Sequence, residues 1–110
     1  MAGKFELKKT KTGFTFNLKA SNGQVILTSE VYNDKRGASN GIASVKKNAG
    51  IDARYEVRKS KKNEPYFVLF AANKEIIGKS EMYSSMRGCK NGMASVKKNA
   101  ADAAVDDLTQ

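Results

Sequence analysis

The sequence predicts an α+β fold: two tandem β-β-β-α repeats forming one pseudo-twofold domain, an antiparallel sheet with two helices packed on it. Three observations carry this. Residues 5–13 match 55–63 at an offset of 50, and residues 14–49 match 65–100 at an offset of 51, with 22 identities in 45 aligned pairs. Within each copy, three short stretches alternate apolar and polar residues, the period of half-buried strands. After the third stretch the apolar period lengthens to that of a helix. A unit of about 50 residues with no disulfide or metal is marginal alone. Residues 50–54 are too few and too ordinary for a flexible tether. The copies, about 4–52 and 54–103, are therefore expected to share one core within a single domain spanning 1–110.

The elements follow in order. The first strand turns Phe5 and Leu7 inward, matched by Tyr55 and Val57; the second Phe16, Leu18 and Ala20, matched by Phe67, Leu69 and Ala71. The third turns in Val25, Leu27, Ser29 and Val31, matched by Ile76, Gly78, Ser80 and Met82. Asn22-Gly23 suits a two-residue type I′ hairpin, and Asn73-Lys74 makes a weaker one because lysine lacks the freedom of glycine. On the helical stripe lie Ala38, Gly41, Ile42, Val45 and Ala49, repeated as Cys89, Gly92, Met93, Val96 and Ala100. A glycine inside a helix costs about 1 kcal/mol relative to alanine, so a short helix starting after Gly41 is one reading. The favoured one starts each helix near Asp34 and Ser85, capped by Asn33 and Ser84, with the glycine pairs 37/41 and 88/92 letting the axis lie close to the sheet. Residues 104–110 are expected to be a short, frayed, acidic tail with Val105 and Leu108 as its apolar anchors.

The doubled Phe/Tyr-Glu of the first strand, Ser-Glu-x-Tyr at the end of the third, and Asn-Gly-[Ile/Met]-Ala-Ser-Val-Lys-Lys-Asn-Ala resemble the YegP-like family, a bacterial group of unknown function. The resemblance covers residues 4–100. It implies a β3α repeat, present in some relatives as a single copy that pairs with itself, and it carries over no catalytic or binding residue. Met93 stands where isoleucine is usual, and Cys89 where alanine is commoner.

Composition removes whole classes of activity without naming one. Lys and Arg number 20 against 11 Asp and Glu, a net charge of +9, with no histidine and one cysteine. Without histidine, neither a His-dependent triad nor a His-based metal site can be built. One cysteine closes no intramolecular disulfide, and a reducing, cytoplasmic setting is expected. The charged first nine residues lack the apolar core of an export signal. The longest apolar run, residues 66–72, falls far short of the ~20 residues of a membrane span. No cofactor, metal or membrane partner is expected, and the chain is expected to be a monomer or weak homodimer.

Four groups of residues remain as candidates, each with a structural alternative. Cys89, near a helix start and flanked by Arg87 and Lys90, has the surroundings of an activated thiol, but it sits on the inward stripe. Glu30 with Tyr32, and Glu81 with Tyr83, place a carboxylate and a phenol on one strand face in both copies. They suit either a small-molecule or acid-base site or the closing of a strand end. Arg36, Asn40 and Lys47, repeated as Arg87, Asn91 and Lys98, line the outward helix faces and could track a polyanion such as nucleic acid, or simply face solvent. Basic hairpin residues Lys8, Lys9 and Lys11, and Arg58, Lys59, Lys61 and Lys62, add to that charge. Finally, Tyr66, Val68 and Phe70 replace Thr15, Asn17 and Lys19 of the first copy, which would bare an apolar patch if the sheet has an open face. The leading expectation is thus a non-enzymatic binding module contacting a protein or peptide through Tyr66, Val68 and Phe70, with weak, salt-sensitive nucleic-acid binding second.

Overall fold

The computed structural model describes residues 3–109; Met1 and Ala2 of the charged first stretch and Gln110 of the expected acidic tail lie outside the described residues. In chain order the elements are β1 (Lys4–Lys9), β2 (Phe14–Lys19), β3 (Val25–Thr28), α1 (Lys35–Asn48), β4 (Tyr55–Lys59), β5 (Pro65–Phe70), β6 (Ile76–Lys79), α2 (Met86–Ala100) and β7 (Ala104–Asp107), with a turn of 3-10 helix at Asp52–Arg54. All seven strands join one sheet in the order β4-β5-β6-β3-β2-β1-β7. The β1–β7 pair is parallel and the other neighbours are antiparallel. The fold class is α+β, as the periodicity predicts.

The two repeats meet at the centre of the sheet. Thr28 of β3 lies opposite Lys79 of β6, and these are equivalent residues at an offset of 51, as a local twofold axis requires. Each helix packs across the axis: α1 lies on β2 and also on β6, while α2 lies on β5 and also on β3. One apolar cluster therefore holds Phe5, Phe16 and Val45 of the first repeat together with Phe67, Leu69 and Val96 of the second. The axis is filled asymmetrically. A Cβ on Gly78 would lie 2.6 Å from the side chain of Leu27, its own equivalent, so one large and one absent side chain share a space that two leucines could not.

Several sequence expectations need correction. β3 and β6 each contain a bulge: Leu18 faces Leu27 and Lys19 faces Val25, leaving Ile26 extra, and Leu69 faces Gly78 while Phe70 faces Ile76, leaving Ile77 extra. The bulge turns Ile26 and Ile77 into the core and leaves Val25 and Ile76 half-buried outside it. Val31 and Met82 are exposed rather than inward, because the strands end at Thr28 and Lys79 and the chain then turns in Tyr32 and Tyr83 instead. Val57 is also exposed, because β4 is the end strand of the sheet.

The helices begin one residue later than the expected caps. Asp34, not Asn33, accepts the Gly37 N–H at 2.7 Å, and Ser85, not Ser84, accepts that of Gly88 at 3.1 Å. The β2–β3 turn is not type I′. Gly23 alone has positive φ (+86°) and its N–H bonds Ala20 C=O, which is a three-residue loop closed by a left-handed residue. Lys74 adopts the same conformation at φ +70°, the costlier choice for a side chain with a Cβ.

The acidic tail is a strand. Ala104–Asp107 pairs in parallel with β1, setting Val105 beside Phe5 and Asp106 beside Glu6. Val105 and Leu108 are about half exposed and do not anchor it; buried Ala103, the Leu108 N–H to Leu7 C=O bond (2.8 Å) and the Lys35–Asp107 ion pair (2.5 Å) do.

Candidate functional site

The outer surface of the helix layer is the most distinctive chemistry in the molecule. α1 carries Lys35, Arg36, Lys46 and Lys47, α2 carries Arg87, Lys90, Lys97 and Lys98, and neither helix contains an aspartate or glutamate. Three of these cations are engaged: Lys35 with Asp107, Lys97 with Asp52, and Lys46 over the Phe5 ring at 5.8 Å. The rest are exposed, and none makes an ion pair among the described residues. Arg36, Asn40 and Lys47 fall on one stripe about 16 Å long at the helical rise, and Arg87, Asn91 and Lys98 repeat it; all six are exposed. Solvated helices ordinarily mix both signs, since carboxylates four residues from lysines stabilise them. The first turns hold cations and no acid, which Asp34 at the cap of α1 balances but the neutral Ser85 at the cap of α2 does not, while the last-turn lysines of both helices suit the dipole.

The two Glu–Tyr pairs do not converge. Tyr32 stacks on Phe16 with centroids 6.1 Å apart, and Tyr83 on Phe67 at 6.4 Å. Their hydroxyls press on the helices where Gly41 and Gly92 leave room. Glu30 and Glu81 both line a cleft of about 290 Å³ at the axis that neither tyrosine reaches; Glu30 with Tyr32, and Glu81 with Tyr83, also line two separate clefts of about 300 and 340 Å³, each closed by the opposite repeat's hairpin. Burial, and then the charges of Glu30 and Glu75, push the Tyr32 phenol above its ordinary pKa; burial, then Cys89 and Glu81, do the same to Tyr83. A phenol that holds its proton more tightly is a poorer acid, and the serine of the motif has a plainly structural task. Ser29 Oγ accepts from Phe16 N–H at 2.9 Å and donates to Glu30 C=O at 2.7 Å, and Ser80 does likewise with Phe67 and Glu81.

The patch expected at Tyr66, Val68 and Phe70 is only partly open. Val68 is 2% exposed and cannot be a contact residue. On that face of the sheet Lys79 Nζ lies 5.3 Å from the Tyr66 ring centre and the Arg58 guanidinium 5.9 Å from that of Phe70. Two cationic stems thus cover the neighbourhood of Val68 and leave Tyr66 and Phe70 half-buried. Cys89 is fully buried, and burial pushes its thiol pKa up, opposite to an activated nucleophile.

Two features went unread in the sequence. Glu6 is buried on the open sheet face, with Lys19, Lys4 and Lys8 at 3.2, 3.8 and 3.8 Å. Burial raises its pKa, and the Lys19 hydrogen bond and the charges of Lys19, Lys8 and Lys4 more than offset this, holding it below the ordinary value. Asn48 and Asn99 are buried at the helix ends, where Asn48 accepts from Arg54 Nε at 3.0 Å and Asn99 from the Gly3 N–H at 2.9 Å, tying each helix to the start of a repeat. Their signal was present: both copies end in Ser-Val-Lys-Lys-Asn. Among the described residues no group of three or more acidic or cysteine side chains is placed to hold a metal ion, and no helix is long and apolar enough to cross a membrane.

Comparison with known proteins agrees with this architecture. The chain is 54% identical over 108 residues to the UPF0339 protein YegP of Yersinia pestis, covering 97% of this chain and 96% of that one. It is 52% identical over 109 residues to a UPF0339 protein of Mannheimia succiniciproducens, with 98% and 96% coverage. Two solution NMR structures superpose with a TM-score of 0.93: a UPF0339 protein of Shewanella oneidensis, 51% identical and covering 99% of this chain and 93% of that one, and yegP of E. coli, described as a protein of unknown function, 47% identical with 99% and 95% coverage. A family model described as a domain of unknown function matches twice in tandem, at residues 10–56 and 60–107. With the repeat, the sheet and the relatives in agreement, the chain belongs to the DUF1508 family.

Proposed function

We propose that the protein is a non-enzymatic binding module whose helix layer engages the phosphate backbone of nucleic acid through Arg36, Asn40 and Lys47 and their counterparts Arg87, Asn91 and Lys98. The observation that carries this reading is the absence of any carboxylate from two helices that hold eight Lys and Arg. Arg36 and Arg87 oppose the helix dipole and, with Lys47 and Lys98, make no ion pair among the described residues, so a polyanion would meet four uncompensated charges. The protein or peptide contact expected at Tyr66, Val68 and Phe70 is less well supported, because its central residue is buried.

Anisotropy of a labelled oligonucleotide of about 20 nucleotides tests the reading. Binding on the order of 10⁻⁴ to 10⁻⁶ M is expected, weakening at least about tenfold between roughly 50 and 200 mM salt. The triple exchange Arg36→Glu, Arg87→Glu and Lys98→Glu, all at exposed positions, should abolish binding and leave the circular dichroism spectrum unchanged. No binding at low salt, or equal binding by the folded triple variant, overturns the reading.

A further inference from the structure

The twofold symmetry fails at the two ends of the sheet. β1 is covered by β7, whereas its counterpart β4 is the sheet's last strand. The consequence is read in one pair of equivalent residues: Leu7 is 2% exposed and Val57 is 37% exposed. The backbone is open as well. The ladder that continues from the Ser60 N–H to Glu64 C=O bond joins Arg58 to Tyr66 and Glu56 to Val68, so the peptide groups of Val57 and Lys59 point away from β5. In the first repeat the corresponding carbonyl, that of Leu7, receives the Leu108 N–H.

The way β7 is held indicates what would fit beside β4. Asp106 reaches Lys4 at 3.4 Å on one face, and Asp107 reaches Lys35 at 2.5 Å on the other. At β4, Arg54 stands in the place of Lys4, but Met86 stands in the place of Lys35 and is 41% exposed. An occupant therefore keeps an acidic residue toward Arg54 and needs an apolar one toward Val57 and Met86. A second copy offering its own β4 in antiparallel register about Val57 would set Glu56 against Arg58 but leave Arg54 opposite Ser60 rather than a carboxylate. We propose that β4 is a docking edge for an extended peptide of alternating apolar and acidic residues, which adds in parallel as an eighth strand. This surface is separate from the helix layer, and its test is independent of nucleic-acid binding.

The probe is a synthetic peptide of residues 102–109 carrying Asp107→Leu, titrated into the ¹⁵N-labelled full chain. Chemical-shift changes and slowed amide exchange are expected at Val57 and Lys59, with Phe5 and Leu7 unaffected. Val57→Pro, which removes an outward N–H and no β5 bond, should abolish them. Met86→Lys should transfer the preference to the peptide that retains Asp107, and it keeps the test decisive if the proline variant fails to fold. Absence of shifts at millimolar peptide overturns the proposal, as does displacement of β7 from β1 or an unchanged preference in Met86→Lys. Concentration-dependent shifts at β4 without peptide would assign the edge to a second copy and overturn it equally.

Discussion

A Cβ built on Gly92 would lie 2.1 Å from the Tyr83 hydroxyl oxygen, and one on Gly41 2.5 Å from that of Tyr32. Helix propensity alone says Gly92→Ala should stabilise by about 1 kcal/mol. Because Tyr83 is stacked on Phe67 and cannot swing aside freely, net destabilisation of about 1–3 kcal/mol is expected instead, from the cost of overpacking. In a Tyr83→Ala background the sign should reverse, and a thermal-melt double-mutant cycle checks it. The Asn-Gly and Ser-Glu-x-Tyr motifs were thus legible as repeated features, but not as two halves of one contact. Glu6 was illegible for a similar reason: between Lys4 and Lys8 a carboxylate reads as solvated, and the residue that completes its cage, Lys19, comes from the neighbouring strand. Its folded pKa lies below the ordinary 4.5, so the carboxylate contributes stability that is fully present above that value and lost as pH falls through the folded one. Glu6→Gln should lower Tm near neutral pH, with the gap to the parent closing in acid; a gap independent of pH would show that Glu6 is not stabilised as a charge.

At the scale of elements, six strands and both helices were readable from period and repeat, while β7 was not. Its four residues are exposed or half-buried and two of them are acidic, and its stability comes from the edge of β1, which no local pattern reveals. A signal did exist. Asp102-Ala103-x-Val105-Asp106 echoes Asp52-Ala53-x-Tyr55-Glu56 at an offset of 50, so β7 is a third copy of the first strand. The family model agrees, since its second match runs through residue 107. The bulges at Ile26 and Ile77 were also hidden, because a strict period of two cannot show where a strand gains a residue. Deleting residues 104–110 should expose Leu7 as Val57 is exposed now and cost about 1–3 kcal/mol, the scale of uncovering one large aliphatic side chain. Urea denaturation measures it, and an unchanged midpoint would mean β7 adds nothing to the sheet.

Across the whole molecule, charge and core are arranged on the same axis. The helices that close the shared core from one side also bear the unpaired cations, so the proposed binding surface exists only when both repeats are folded. Which ligand those cations meet was not legible, because charge reports the sign of a partner and not its identity. Interdependence of the repeats rests on concrete contacts: α1 covers β6 of the other repeat, and Leu27 fills the room that Gly78 leaves. The most direct measurement is the thermal melt of residues 1–51 alone, followed by circular dichroism at several concentrations. The account predicts a chain that is unfolded when dilute or folded only as a concentration-dependent dimer; a cooperative melt of a monomer, with Tm independent of concentration, would contradict it.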